Sequence, residues 1–274
     1  MKYTVDKENK YNEEILKYLR AYNIVHTGVK SNEKTHIYIL DNKKLVGALT
    51  ISLDWDWVSF SEYFYFDFEV LKLMISKISK LYKDSASGIS VYTNVVERIN
   101  DFRKLGFEVE GILQSATNAK NEYSLSYYKL DMKSDLDFEV IVNEKAILEY
   151  ESILKEQVVT FKAKHKIETK KDELIIVALD NDIFAGGVKV IIYDSSMYID
   201  LLVVKEEYRG KNIGSKLMEL AEVEANNRNL YSIDLGTAEF QAREFYEKLG
   251  YTTVITKKDQ PKGFNCYTLV KKLR

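Results

Sequence analysis

The stretch YRGKNIGSKL, residues 208–217, decides how the second half of the chain is interpreted. The apolar run MYIDLLVV (197–204) lies before it. The run KLMELAEVEANNRN (216–229) overlaps its last two residues and follows it. The first run is typical of a buried strand and the second of a helix, so residues 209–214 form the loop at a helix N-terminus. Backbone N–H groups lack intrahelical partners there, and glycine lets a bulky anion approach them. The pattern therefore fits either an ordinary strand-to-helix turn or a phosphate-binding loop.

Composition limits the classes of protein to consider. The 274 residues are 46% hydrophobic and 30% charged, which is typical of a globular protein with one large domain or two of ordinary size. The formal charge of -2 argues against a general binder of nucleic acid or anionic membrane. Cys266 is the single cysteine, so no internal disulfide forms, and the scattered His26, His36 and His165 predict no metal site. The charged N-terminus and the lack of an apolar run of about 20 residues predict a cytoplasmic protein with no membrane partner.

Two pairs of segments repeat along the chain. LDNKKLVGALTI (40–51) and LDNDIFAGGVKV (179–190) each consist of an apolar run, an Asp-Asn turn and a second run, which predicts a β-hairpin. FRKLGFEV (102–109) and YEKLGYTT (246–253) each predict a short helix that ends at a glycine and leads into a strand.

A third pair matches at the start of each half. KYTVDKENKYNEEILKYL (2–19) and DFEVIVNEKAILEYESIL (137–154) both predict a short strand followed by a helix. We therefore predict two tandem α/β modules, residues 1–134 and 135–274, that pack together without a flexible linker. Each is expected to hold a mixed, mostly antiparallel twisted sheet flanked by helices.

The second module is predicted in most detail. Its strands are expected at 138–142, 173–179, 186–193, 197–204, 232–236, 251–256 and 265–271, and its helices at 144–165, 214–229 and 241–249.

Two motifs in this module carry a family resemblance. VVKEEYRGKNIGSKLMELAE (203–222) resembles the Arg/Gln-x-x-Gly-x-Gly/Ala loop of the GNAT superfamily of acetyl-CoA-dependent N-acetyltransferases, and FQAREFYEKLGY (240–251) resembles its fourth-helix motif. The resemblance covers about residues 137–273. Asn212 stands where the family has its first motif glycine, and asparagine tolerates the left-handed backbone region better than other non-glycine residues.

The resemblance implies where acetyl-CoA binds. In the family the loop amides hold the CoA diphosphate, which maps onto Arg209, Gly210, Lys211, Asn212, Ile213, Gly214 and Ser215. The strand before the loop separates from its neighbour and pairs with the pantetheine arm through its backbone, which maps onto Leu202, Val203 and Val204.

The resemblance also implies the proton-transfer groups. Tyr246 maps onto the tyrosine that protonates the departing thiolate, and Asp200 onto an acidic residue that takes the proton of the amine, with Glu239 as a further candidate base. The alternatives are a packed aromatic ring and hydrogen-bonded structural carboxylates. Strand alternation predicts that Asp200 points with Leu202 and Val204.

The first module departs from the family at the same places. YFYFDFEV (63–70) stands opposite the loop without glycine or cation and with two carboxylates, Asp67 and Glu69, which would repel a diphosphate. Phe102 stands opposite Tyr246. We therefore expect a degenerate module without a cofactor loop. Its aromatic and acidic run LDWDWVSFSEYFYFDF (53–68) fits either a site for a cationic acceptor or a core and domain interface.

The resemblance implies an enzyme that moves an acetyl group from acetyl-CoA to a primary amine of a small molecule or a protein, without a metal. The alternative is a non-catalytic acyl-CoA sensor or interaction protein that keeps the loop. The acceptor is not readable from the sequence, because irregular loops determine it in such folds.

Overall fold

The computed structural model describes residues 1–27, 34–113, 121–143, 145–165, 170, 172–193 and 195–274. These residues form fourteen strands: β1 Lys2–Val5, β2 Lys34–Asp41, β3 Lys44–Asp54, β4 Trp57–Tyr65, β5 Gly88–Thr93, β6 Glu108–Leu113, β7 Glu122–Tyr127, β8 Glu139–Asn143, β9 Asp172–Asp180, β10 Ile183–Ile192, β11 Ser196–Val204, β12 Ser232–Ala238, β13 Thr252–Lys257 and β14 Cys266–Lys272. The described α-helices are α1 Asn12–Thr27, α2 Phe68–Tyr82, α3 Val96–Lys104, α4 Leu148–His165, α5 Ile213–Asn227 and α6 Arg243–Lys248.

These bounds agree closely with those predicted for the second module. The main difference is α4, which begins at Leu148; Glu144, where its start was predicted, lies outside the described residues. No described helix is long and apolar enough to cross a membrane.

Both predicted hairpins form around two-residue turns with positive φ. Asn42 and Lys43 have φ values of 48° and 66° between β2 and β3, and Asn181 and Asp182 have 48° and 64° between β9 and β10. Positive φ at both central residues is the type I′ geometry, which matches the twist of the flanking strands.

The strands lie side by side in the order β1-β9-β10-β11-β12-β14-β13-β6-β7-β5-β4-β3-β2-β8. Read outward from the central β13–β6 contact, the second half runs β13-β14-β12-β11-β10-β9 and the first half runs β6-β7-β5-β4-β3-β2. Each strand of one half therefore has a counterpart at the same place in the other half. The β13–β6 contact is antiparallel and places Gly111 opposite Ile255. A Cβ at Gly111 would lie 2.8 Å from Ile255 Cγ1, so the halves approach this closely because residue 111 is glycine. The predicted mixed α/β architecture is confirmed.

The opening strand and helix of each half pack on the other half. β1 pairs with β9, and β8 pairs with β2. Ile15 of α1 is buried with Val177, Phe184 and Val203 of the second half, whereas α4 buries Leu154 against the first half. A module defined by packing therefore takes residues from both sides of the predicted 134/135 boundary.

Hydrogen bonds also join the halves at the turn before β14 and at the segment between β12 and α6. Trp57 Nε1 donates to the carbonyl oxygen of Asp259 at 3.1 Å, and Tyr22 Oη donates to that of Phe240 at 2.9 Å. Trp57 is buried, so this part of the aromatic run lies in the interface between the halves.

Candidate active site

β11 and β12 separate part-way along their length. They pair in parallel from Ser196 opposite Ser232 to Ile199 opposite Leu235. β11 then continues to Val204 paired with β10 alone. Among the described residues, the β12-facing backbone edge beyond Ile199 has no strand partner, as the family resemblance implies for a strand that pairs with a ligand.

A cleft of about 1670 Å³ opens where these strands separate. Its lining includes the end of β11, the loop before α5, and Tyr246, and it extends to residues of the first half such as Trp55 and Tyr92. The predicted cofactor segment and the predicted acid therefore line one cavity.

The loop before α5 has the backbone shape of an anion site. Asn212, the N-cap residue, has φ 61° and ψ 15°, so it adopts the predicted left-handed conformation, and its side chain makes no capping hydrogen bond. A Cβ at Gly210, φ 73°, would have no heavy atom within 4 Å. The first amides of this 15-residue helix are therefore not capped by the N-cap side chain, and Arg209 and Lys211 add exposed positive charge. These features fit a diphosphate.

The corresponding helix N-terminus of the first half is already capped. Asp67 Oδ1 accepts a hydrogen bond from the backbone N–H of Val70 at 3.0 Å, and Glu69 lies in the first turn of α2. β4 and β5 also separate after Phe60 opposite Val91. The ring centroids of the buried Phe102 and of Phe60 lie 6.0 Å apart, so aromatic rings pack at the point where β4 and β5 separate.

Replacement of the cap should lower stability without creating a second cofactor site. We expect Asp67→Ala to lower the free energy of unfolding by about 1 kcal/mol, because the Val70 N–H loses its acceptor. Urea denaturation measures this, with the exposed Asp135→Ala as the control for loss of a carboxylate. An unchanged denaturation midpoint, or a second bound acetyl-CoA, would contradict this description of the α2 N-terminus.

Tyr246 lies on α6 at the edge of the second-half core. Its side chain is 8% exposed and meets the rings of Phe245 and Tyr251 edge-on, at centroid distances of 5.1 and 6.1 Å. Burial raises its pKa to about 12, because the phenolate would lose its hydration. The hydroxyl is therefore protonated at neutral pH and able to donate a proton or a hydrogen bond.

The side to which Asp200 points was predicted wrongly. A β-bulge shifts the register between Lys189 and Val190, so Ile199 lies opposite Val190 while Leu201 lies opposite Lys189. Asp200 is the extra residue, and the bulge reverses the alternation on which the prediction relied.

The contacts of Asp200 show the face that it shares. Its Oδ2 lies 3.6 Å from Lys189 Nζ, whereas Leu202 and Val204 pack against the core beneath α5. Asp200 therefore shares the face of Lys189, which is the face that α1 covers, and it still lines the cleft.

Glu239 makes a local contact with the backbone, and Cys266 is a free thiol. Glu239 is exposed, and its Oε2 accepts a hydrogen bond from the Asn265 backbone N–H at 2.9 Å. Burial raises the pKa of the Cys266 thiol to about 12, so this thiol is protonated at neutral pH.

Helix α1, which is distant in sequence, contacts the start of the loop before α5. Lys205 Nζ lies 3.6 Å from Glu14 Oε1 and 5.2 Å from the Tyr18 ring centroid, and the Arg209 guanidinium lies 5.6 Å from the Tyr22 ring centroid. Sequence reasoning did not find these contacts. Both halves open with the same strand-helix pattern, and nothing in that pattern indicates that each opening strand and helix packs on the other half.

Comparison with known proteins agrees with this geometry. A family model described as an acetyltransferase (GNAT) domain matches residues 139–273. The carboxy-terminal half of the chain belongs to the GNAT family. This match and the curated relatives below indicate an acyltransferase of the GNAT type in this half of the chain. Within the described residues, no group of three or more His, Cys, Asp or Glu side chains is arranged to hold a metal ion.

The relatives are acetyltransferases by name. Blasticidin-S acetyltransferase of Streptomyces morookaense is 33% identical over 90 residues, which are 32% of this chain and 66% of that protein. An acetyltransferase of Agrobacterium fabrum is 28% identical over 115 residues, 42% of this chain and 84% of that protein. An acetyltransferase of known crystal structure from Bacillus cereus is 29% identical in sequence. The match covers 47% of this chain and 94% of that protein, with a TM-score of 0.43.

Proposed function

We propose that this protein transfers an acetyl group from acetyl-CoA to a primary amine in the cleft beside β11. One observation carries the proposal: a helix N-terminus without a side-chain cap opens onto the same cleft as the buried Tyr246. An anion site and a proton donor in one cavity are what acyl transfer from a CoA thioester requires.

The backbone groups and cations along the cleft fit acetyl-CoA. The backbone of Leu202, Val203 and Val204 offers hydrogen-bonding groups to the pantetheine arm, and the loop from Arg209 to Ser215 offers amides and two cations to the diphosphate. When bound, acetyl-CoA supplies an activated acyl group and a thiol leaving group.

Two side chains of the cleft manage the protons. The Asp200 carboxylate, positioned by Lys189, accepts the proton of the acceptor ammonium through water, which leaves a neutral amine as the nucleophile. The Tyr246 hydroxyl, protonated at neutral pH, donates to the departing sulfur. α1 covers the face on which Asp200 lies, so the acceptor approaches between α1 and β11.

The first half is proposed to be a GNAT-like module that has lost its cofactor site. The equal strand order of the two halves and the equal separation of β4 from β5 support common architecture. The cap by Asp67 and the replacement of the motif tyrosine by Phe102 support loss of the cofactor site. Its remaining role is structural, because it supplies α1 and the wall that carries Trp55 and Tyr92.

Release of free thiol from acetyl-CoA tests the proposal. The full chain is incubated with acetyl-CoA and a panel of amines, and thiol is followed with a chromogenic disulfide. The panel includes blasticidin S, because one relative is named for it. Thiol release that depends on an amine supports the enzyme. Saturable acetyl-CoA binding without such release across the panel would support a non-catalytic acyl-CoA sensor instead.

A further inference from the structure

The wall of the cleft opposite β11 contains a buried lysine. Lys257, the last residue of β13, is 6% exposed and lines the cleft. Its ammonium group lies 4.3 Å from the ring centroid of Tyr92, which belongs to the first half. Across the described ranges, no carboxylate forms an ion pair with Lys257.

A buried ammonium without a carboxylate is costly for the folded protein. Charges are seldom buried unless they are paired, because they lose hydration that the interior does not replace. The face of the Tyr92 ring compensates only part of this loss. A cation kept under such conditions on the wall of a cleft indicates an anionic group that arrives with a ligand.

A second polar group on the same hairpin also lacks a partner. Gln260 is 8% exposed and lines the cleft, and its Oε1 atom accepts no hydrogen bond. Its backbone N–H donates to the carbonyl oxygen of Phe264 at 2.7 Å, which fixes the turn on which it lies. The pair therefore offers a positive charge and a hydrogen-bond acceptor on one hairpin.

This wall borders the same cleft as the proposed reaction centre. Lys257, Tyr92, Tyr198 and Asp200 all line this cleft. Tyr198 precedes Asp200 by two residues on β11. Lys257 and the Asp200 carboxylate of β11 therefore border the same cavity.

We propose that Lys257 and Gln260 form a subsite for the acid group of the acceptor, so that the acceptor is an amine that also carries a carboxylate. The proposal rests on the acetyl transfer proposed above. The carboxylate of the acceptor pairs with Lys257, and its amine faces Asp200. An N–H or O–H group of the same molecule donates a hydrogen bond to Gln260 Oε1. The class of acceptor is thus an amino acid or the carboxyl end of a short peptide. Amines without an acid group leave Lys257 unpaired and are poor acceptors.

Matched acceptors test the subsite by turnover. ω-Amino acids of three to six carbons are compared with n-alkylamines of the same chain length, which differ only in the carboxylate. We expect the best amino acid to have a kcat/KM at least tenfold higher than its matched amine, because a hydrogen bond to a charged group typically contributes about a tenfold effect or more. Lys257→Met, which keeps the length of the side chain, should remove this preference by raising KM, with acetyl-CoA affinity unchanged.

The exposed neighbour Lys258 provides the control. Lys258→Met removes the same charge from the same hairpin outside the cleft and should leave the preference intact. Equal kcat/KM values for the matched acceptors in the wild type, or a preference that survives in Lys257→Met, would overturn the subsite.

A binding measurement separates this inference from the proposed activity. Saturation-transfer NMR of 4-aminobutyrate and of butylamine is recorded with the CoA-loaded wild type, and needs neither turnover nor a folded variant. We expect signal transfer to 4-aminobutyrate alone. Equal transfer to both, or transfer to neither, overturns the subsite. Selective binding of 4-aminobutyrate without any thiol release would retain the subsite and reject acetyl transfer.

Discussion

Gly214→Glu is expected to abolish acetyl-CoA binding while the protein stays folded. Gly214 is the second residue of α5, and a Cβ there would lie 3.4 Å from its nearest neighbour, Phe245 Cζ, which is an ordinary contact distance. A glutamate in the first turn interacts favourably with the helix dipole, so the helix itself tolerates the change. The loss falls on the ligand, because the new carboxylate lies where the diphosphate must meet backbone amides. Glu69 already has the equivalent position in α2.

Calorimetric titration measures this prediction directly. The wild type should bind one acetyl-CoA per chain, and the variant none. In thermal unfolding, acetyl-CoA at about 100 times its Kd should stabilise the wild type by about 2.7 kcal/mol and leave the Gly214→Glu protein unchanged.

The control adds the same charge to the same helix. Val223 is an exposed residue of α5 distant from the loop, so Val223→Glu should bind acetyl-CoA like the wild type. Asn212→Gly should also keep binding, because residue 212 already has the left-handed backbone that glycine adopts readily. Acetyl-CoA affinity that survives Gly214→Glu, or two equivalents of acetyl-CoA bound per chain, would show that the diphosphate-binding loop has been assigned to the wrong half.

Local chemistry explains how much of the site the sequence predicted. The loop before α5 is determined by neighbours in the chain: an apolar strand, two residues with positive φ, and an amphipathic helix. The hairpin turn at Asn181 and Asp182 and the glycine that ends α6 are local in the same way. Predictions that depended on such short-range features agree with the structure.

Features set by distant contacts were not predicted. The exchange of β1 and α1 with β8 and α4 is invisible in the sequence, because the two segments have the same pattern and either one fits either sheet. The bulge that turns Asp200 toward Lys189 inserts a residue into a strand whose composition gives no sign of it. The burial of Lys257 was not predicted either, because it involves a contact with Tyr92 of the other half, which is distant in sequence.

The exchange has a consequence for catalysis. α1 covers the face of β11 on which Asp200 lies, and the rings of its residues Tyr18 and Tyr22 lie beside the two cations at the start of the loop before α5. In the proposed function, the first half thus contributes α1 to the site of the second half.

Tyr246→Phe is expected to reduce turnover by about 100-fold, which is typical for loss of a general acid, with acetyl-CoA affinity unchanged. The substitution removes only the hydroxyl oxygen, so the edge-on contacts of the ring with Phe245 and Tyr251 remain and the fold is undisturbed.

The pKa of Tyr246 also fixes the pH dependence. Because burial disfavours the phenolate and raises the pKa to about 12, the hydroxyl stays protonated up to about pH 11. The wild-type rate should therefore show no decline from Tyr246 between pH 7 and 10, and the ratio of wild-type to variant turnover should be constant over that range. Tyr251→Phe is the control, since Tyr251 is buried beside Tyr246 and does not line the cleft, and its turnover should match the wild type. A Tyr246→Phe enzyme with wild-type turnover would transfer the acid role to water or to another group, because the ring alone cannot supply a proton to the departing sulfur.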